Sequence, residues 1–289
     1  MLAQTVVNGL LLGGVYGVAT VGFSMVWGVM GIINLAHGAY IMMGAYFAWG
    51  MAERFGVDPI ACIPLAMLVL FVVGWSIQRL LLNPVMRTSV LLTLAVTFGV
   101  ELFLVDLFVV LFSADVRSVN TWYSARSLAV GPVLVSYVRL AAALLSLALA
   151  LGFWLLLNKT RIGQAILATA LDREAARLMG IFPDRIYGLT AGLGAALAGA
   201  SGCLASILFP ISPGLGLSFI GAVFVITVLG GIGSVEGAVA AGFVYALVQA
   251  FAATYLGVNY QEIVAFSLFL LILVLRPQGL FGKRFYGEV

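Results

Sequence analysis

From Met1 to Ala52 the chain contains no Asp, Glu, Lys or Arg, and from Ile186 to Leu275 it contains only Glu236 and Glu262. A water-soluble core does not need such long uncharged sequence, but a hydrocarbon bilayer does, because an ionised side chain near its centre costs at least a few kcal/mol. The composition agrees: 9% of residues are charged, against about 25% in an ordinary soluble domain. The 34 glycines suit helices that pack closely in lipid. The net charge of +3 reads as the basic bias of cytoplasmic loops rather than as nucleic-acid binding. Cys62 and Cys203 lie in apolar runs and read as small buried side chains, not as a disulfide or metal framework. The first apolar run lacks a basic n-region and exceeds a signal-peptide core, so it is expected to be retained.

A membrane span needs about 20 apolar residues. Ile60–Gln78, Ser89–Phe112, Leu140–Leu157, Tyr187–Leu208 and Ile263–Leu275 meet this or nearly so. Val6–Ala52 and Ser218–Tyr255 each hold about two segments joined at a glycine-rich break. The expected fold is all-α: a polytopic transmembrane bundle of eight or nine segments with two interrupted or re-entrant regions, forming a single domain over residues 1–289. Pro59, Pro84, Pro132, Pro183, Pro210, Pro213 and Pro277 are expected between segments, and Pro64 near the start of one.

Basic residues set the orientation. Arg79 and Arg87, then Lys159, Arg161, Arg173, Arg177 and Arg185, then Arg276, Lys283 and Arg284 fall in three groups separated by even numbers of crossings, so all three can share the cytoplasmic face. The loop Ser113–Ser136 then faces outward, and its Trp122 and Tyr123 read as interfacial anchors or as contacts for an external protein.

The two breaks echo one another. Gly31-Ile-Ile-Asn34-Leu-Ala-His37-Gly38-Ala39 and Gly230-Gly231-Ile-Gly-Ser234-Val-Glu236-Gly237-Ala238 both run glycine, five residues, a polar group, Gly-Ala. Their placement suggests an internal duplication and a substrate path past interrupted helices, whose exposed backbone groups could hold a zwitterion. Asn34 and Ser234 add neutral hydrogen-bonding groups. His37, the only histidine, reads first as a hydrogen bond stabilising the break and second as a substrate contact. Glu236 could cap the next helix or meet an ammonium. Glu101, midway along Ser89–Phe112, is either a structural partner of Arg139 or of another chain, or a substrate contact.

Residues 158–186 form the long polar loop on the inner face. Leu167, Leu171, Ala175 and Leu178 line one side of a short helix, with Asp172, Arg173, Glu174 and Arg177 on the other. Such a helix can lie on lipid or dock into a groove on a soluble partner. Glu174-Ala175-Ala176-x-x-x-Gly180 resembles the EAA motif of ABC importer permeases, and Thr160-Arg-Ile-Gly163…Asp172-Arg-Glu-Ala-Ala-Arg-Leu-Met-Gly-Ile181 resembles the branched-chain amino-acid permeases of the LivH type. The likeness extends through Asn8-Gly9…Gly13-Gly14-Val-Tyr16, the two breaks, Gly192…Gly194…Ala198-Gly199 and Arg276-Pro-Gln-Gly-Leu-Phe-Gly282; the Ile-x-Leu-Pro ending of the broader motif is absent.

The resemblance implies a non-catalytic permease for Leu, Ile or Val in a bacterial inner membrane. It would work with two cytoplasmic ABC ATPase subunits, a second homologous permease and a periplasmic substrate-binding protein. Asp172, Arg173, Glu174, Ala175, Ala176, Leu178 and Gly180 would couple to the ATPase, with Gly180 ending the helix in a left-handed turn and Ala175 and Ala176 keeping its surface low. No cofactor is expected in this chain; ATP and magnesium would belong to the partners. The chain has no Gly-x-x-x-x-Gly-Lys-Ser/Thr, and Lys159 and Lys283 are its only lysines. Urea, short amides and other amino acids are alternative cargoes. A secondary carrier is a rival reading. So is an intramembrane protease built on Gly199-Ala-Ser201-Gly202, although His37, its sole candidate base, precedes the serine.

Overall fold

In hydrocarbon only a helix or a closed barrel satisfies every backbone N–H and C=O, and the long uncharged runs are mostly helical, broken at 31–36, 207–214 and 231–234. The computed structural model describes residues 1–86 and 89–275; Arg87, Pro277 and the motif from Arg276, with Lys283 and Arg284, lie outside them. In chain order the helices are α1 (Leu2–Met30), α2 (His37–Phe55), α3 (Ile63–Ile77), α4 (Asn83–Met86), α5 (Val90–Phe112), α6 (Tyr137–Lys159), α7 (Arg161–Leu171), α8 (Arg173–Leu178), α9 (Pro183–Ser206), α10 (Leu215–Gly230), α11 (Val235–Tyr255) and α12 (Gln261–Leu275). Among the described residues seven helical runs are long and apolar enough to cross a membrane; α2 and the 16-residue α10 are not among them.

Three local features differ from the expectation. Pro84 does not separate segments: α3 passes through a π-helical turn at Gln78–Leu82 into α4. A π turn shifts the carbonyl that a helical proline would strike, and the buried Gln78 amide braces it by donating to Asn83 Oδ1 at 2.9 Å. The loop after α5 is not helical but holds an antiparallel hairpin, β1 (Ser127–Val130) with β2 (Val133–Ser136), turned at Gly131, whose φ is +59°. Third, the two long stretches split differently from each other, which decides where the site lies.

The bundle has two ends. At the hairpin end Gln4 exchanges hydrogen bonds with the Leu134 backbone at 2.8 Å, Arg117 and Ile211 pair through backbone bonds at 2.8 Å, and the Tyr123 hydroxyl donates to Asp58 at 3.0 Å. Burial, and then the bond to Asp58, push the Tyr123 phenol up to about 12, so this clasp keeps its proton through neutral pH. At the other end α7 and α8 lie beside the start of α9, and Asn83 donates to the Asp184 carbonyl at 3.1 Å. Helix α1 runs from the first end to the second as the central post.

Packing around α1 proceeds by backbone contact. A Cβ on Gly22 would lie 2.7 Å from the Gly194 carbonyl of α9, and one on Gly13 would lie 2.7 Å from Phe243 of α11. Tyr16, Phe23, Tyr40, Phe219 and Tyr245 fill the core, with Tyr16 edge-on to Tyr245 at 5.4 Å. Helices α5 and α12 bury only narrow stripes, leaving side chains such as Phe103, Val110, Leu270 and Val274 exposed.

Candidate functional site

Helix α1 ends at Met30 beside α8, and Gly31 caps it with φ +69°. The chain then doubles back. His37, the first residue of α2, places its Nε2 2.9 Å from the Ala19 carbonyl, eleven residues or ~16 Å back along α1. A carbonyl only accepts, so that nitrogen carries the hydrogen. Helix α2 therefore starts at half the depth of α1 and runs to the hairpin end.

Helix α10 mirrors it. Residues 207–214 lead in from the hairpin end through turns on either side of Ile211, which pairs with Arg117, and α10 starts where Gly216 meets Gly38: a Cβ on Gly38 would lie 2.7 Å from the Gly216 carbonyl. From there α10 runs to Gly230 at the opposite end. Two half-depth helices thus meet N-terminus to N-terminus inside the bundle.

Helix α5 binds this junction along one buried stripe. The Thr97 hydroxyl donates to the Ile33 carbonyl at 3.3 Å, and Glu101 Oε2 accepts the Ala39 N–H at 2.9 Å. Glu101 therefore caps α2. It does not pair with Arg139, which lines a pocket at the hairpin end with Thr5, Asn8, Gln249 and Gln261. Thr93, Thr97 and Glu101 recur every fourth residue and are all buried. That four-residue period is visible in the sequence.

The path residues named from the sequence fall into two places. Asn34, His37, Gly38 and Glu101 converge at the junction. Asn34 Oδ1 accepts the Ala36 N–H at 3.1 Å, folding the segment into its turn. Gly230, Gly231, Ser234 and Glu236 lie instead at the α8 end, where the Gly233 N–H donates to Ser24 at 3.0 Å. The break there is a tight turn from α10 into α11, made possible by φ of +88° at Gly231 and +80° at Gly233. Ser234, not Glu236, caps α11, accepting the Gly237 N–H at 3.0 Å; the exposed Glu236 accepts from the Trp154 indole. The second interruption is at 207–214, and the sequence echo joins two breaks of different architecture.

The polar loop is likewise two helices, not one. At Asp172 the backbone is extended, with φ −153° and ψ 113°, and its carboxylate caps α8 by accepting from Glu174 and Ala175. The break disperses the expected apolar stripe. Leu171 and Leu178 are 86% and 89% exposed, together with Met179, while Ala176 is buried. Ala176 thus seats α8 on its own bundle and is not part of an outward low surface; a bulky side chain there would pry α8 away. Gly180, at φ +81°, ends the helix: its N–H donates to Arg177 and the Ile181 N–H to the Ala176 carbonyl at 3.0 Å, a Schellman arrangement. Asp172→Ala is expected to lose about 1 kcal/mol of local helix stability, read as faster amide exchange at Glu174 and Ala175 with unchanged exchange in α9.

Arg173 ties this unit to the transmembrane core. Its guanidinium donates to the Met30 carbonyl at 2.6 Å and lies 5.5 Å from the Tyr187 ring. Met30 is the last residue of α1, whose carbonyls lack helical partners and favour a cation. From Met30 only residues 31–36 separate the contact from the α2 junction.

Ser201 lies buried in α9 with no hydrogen-bond partner for its hydroxyl, while His37 is bonded to Ala19. The geometry of a serine–histidine pair is absent.

A family model described as the permease component of branched-chain amino acid transport systems matches residues 5–274. The chain is 31% identical to the high-affinity branched-chain amino acid transport permease BraD of Pseudomonas aeruginosa, over 97% of this chain and 95% of that one. It is equally identical, with the same coverage, to LivH of Escherichia coli K12. A probable LivH permease of Methanocaldococcus jannaschii is 24% identical over 90% of this chain and 86% of its own. No solved structure matches.

Proposed function

Because the chain belongs to the permease-component family of branched-chain amino acid transport systems, we propose that it is a transmembrane subunit of an ATP-driven importer carrying Leu, Ile or Val across the inner membrane. The observation that carries this reading is a match to named permeases along nearly the whole chain. In this proposal the α8 end faces the cytoplasm, in keeping with Arg79, Lys159, Arg161, Arg173, Arg177 and Arg185 at that end, and the hairpin end faces the periplasmic binding protein.

Two ATPase subunits grip the exposed Leu171, Leu178 and Met179 around the polar residues Asp172, Glu174 and Arg177. A second permease completes the pathway. When the ATPases close, α8 moves. Its Arg173 pulls on Met30, the segment 31–36 follows, and the N-terminus of α2 shifts against α10. The half-depth helices are the interrupted elements, and Asn34, His37, Gly38 and Glu101 lie on the path, at the depth where discontinuous helices bind substrate in other transporters. Gly230, Gly231, Ser234 and Glu236 form the cytoplasmic exit.

The test is ATP-dependent uptake of labelled leucine, urea and glutamate into vesicles holding the complete assembly. Leucine accumulation is expected. Clear urea or glutamate uptake without leucine would overturn the cargo, and uptake by the permease pair without its ATPases would overturn the importer class.

A further inference from the structure

Capping α2 requires one neutral acceptor, and an Asn or Ser at the N-terminus supplies that in most helices. Here the acceptor is a carboxylate. Glu101 is 6% exposed, and only Oε2 has work to do in the resting fold: Oε1 is buried with no hydrogen-bond partner. A buried acceptor without a donor is costly, and more so when it belongs to an ionisable group.

The position of Oε1 is specific. It lies 3.3 Å from where a Cβ on Gly38 would stand, and that point is 2.7 Å from the Gly216 carbonyl, so Oε1 faces the contact between the two half-depth helices. The backbone donors at the start of α2 are already engaged: Ala36 with the Asn34 side chain, His37 with the Asn34 carbonyl, Gly38 with Leu35, and Ala39 with Glu101. Helix α2 therefore has no spare N–H for a substrate carboxylate, contrary to the expectation from an interrupted helix. On the α2 side the junction offers the opposite group, an acceptor oxygen on a carboxylate, with no Lys or Arg of the described residues bonded to it. An alkylammonium brings hydrogen-bond donors and a complementary charge.

We propose that Glu101 recognises the primary ammonium of the transported amino acid through Oε1 once α2 and α10 part, an inference that rests on the importer reading above. The carboxylate holds α2 with one oxygen and takes the cargo with the other. Gly38 and Gly216 keep the unloaded junction closed by backbone contact.

The test compares leucine with isopentylamine, which keeps only the ammonium, and isocaproate, which keeps only the carboxylate, as thermal stabilisers of the purified permease–ATPase complex without binding protein. Leucine and isopentylamine are expected to raise the Tm of the natural protein, and isocaproate is not. In Glu101→Gln the amide oxygen retains the Ala39 cap while its NH2 replaces Oε1. This variant should keep its unliganded Tm, lose both ligand shifts, and take up leucine about tenfold more slowly with binding protein present, the scale of one charge-assisted hydrogen bond. A leucine shift undiminished in Glu101→Gln would overturn the proposal. So would an isocaproate shift as large as that of isopentylamine in the natural protein, a comparison that stands even where the variant fails to fold. Failure of the importer reading shows separately, as absent ATP-dependent leucine uptake by the natural assembly.

Discussion

Arg173→Ala should leave an assembled transporter that hydrolyses ATP but accumulates leucine at least roughly tenfold more slowly, since a hydrogen bond from a charged group is worth about 1.5–3 kcal/mol and each 1.36 kcal/mol is a factor of ten. The substitution removes the 2.6 Å bond to the Met30 carbonyl and the guanidinium beside Tyr187. It spares the Asp172 cap, the buried Ala176 and the exposed leucines, so α8 still forms and still presents its grip. What is lost is the link between α8 and the segment leading to α2. Parallel ATPase and uptake assays on the same vesicles measure this. Equal losses of both activities would show Arg173 acting in assembly, and unchanged uptake would remove it from the coupling path. Gly180→Pro should give a related defect through another cause, because φ of +81° is closed to proline and the N–H that donates to Arg177 disappears.

The second large effect is on folding. Gly202→Val is expected to abolish the folded permease, seen as loss of a monodisperse peak and of a cooperative melt in detergent. A Cβ at this position would collide with the Ile41 carbonyl and lie 2.8 Å from the Ala45 nitrogen, while one on Gly44 would collide with the Gly199 carbonyl. These are backbone atoms on two helices, so no rotamer change relieves them. The cost exceeds the about 1–3 kcal/mol typical of overpacking by side chains. Gly152→Ala in α6 is the control, since nothing lies within 4 Å of its added Cβ. It should be neutral or stabilising by up to ~1 kcal/mol. A folded Gly202→Val protein with an unchanged melt would contradict the α2–α9 contact.

The contrast between those two glycines shows what the sequence could convey. Exclusion of charge acts on whole segments, so the long helices were legible within a few residues of their ends, as with Ser89–Phe112 against α5. The hairpin at Ser127–Ser136 and the π turn ahead of Pro84 depend on a few residues' backbone angles and left no such trace. The depth at which α2 begins was not legible either, because it is set by His37 reaching Ala19, a contact between positions that no local pattern connects. The same limit misplaced the second interruption. Glycines drew attention to Gly230–Ser234, whereas Pro210 and Pro213, expected only between segments, mark the non-helical approach to α10. In the polar loop 158–186 the spacing of the letters did not convey the outward face, since Asp172 turns one apparent stripe into two helices.

The half-depth starts of α2 and α10 also bear on how the proposed permease counts its passages. If each is counted with the non-helical stretch that leads into it as one traverse, these two and the seven long runs of the described residues make an odd number. Leu2 and Leu275 consequently lie at opposite ends of the bundle. Reporter domains fused at the two termini would report different compartments, so a single pair of fusions reads out the parity on which the whole path depends.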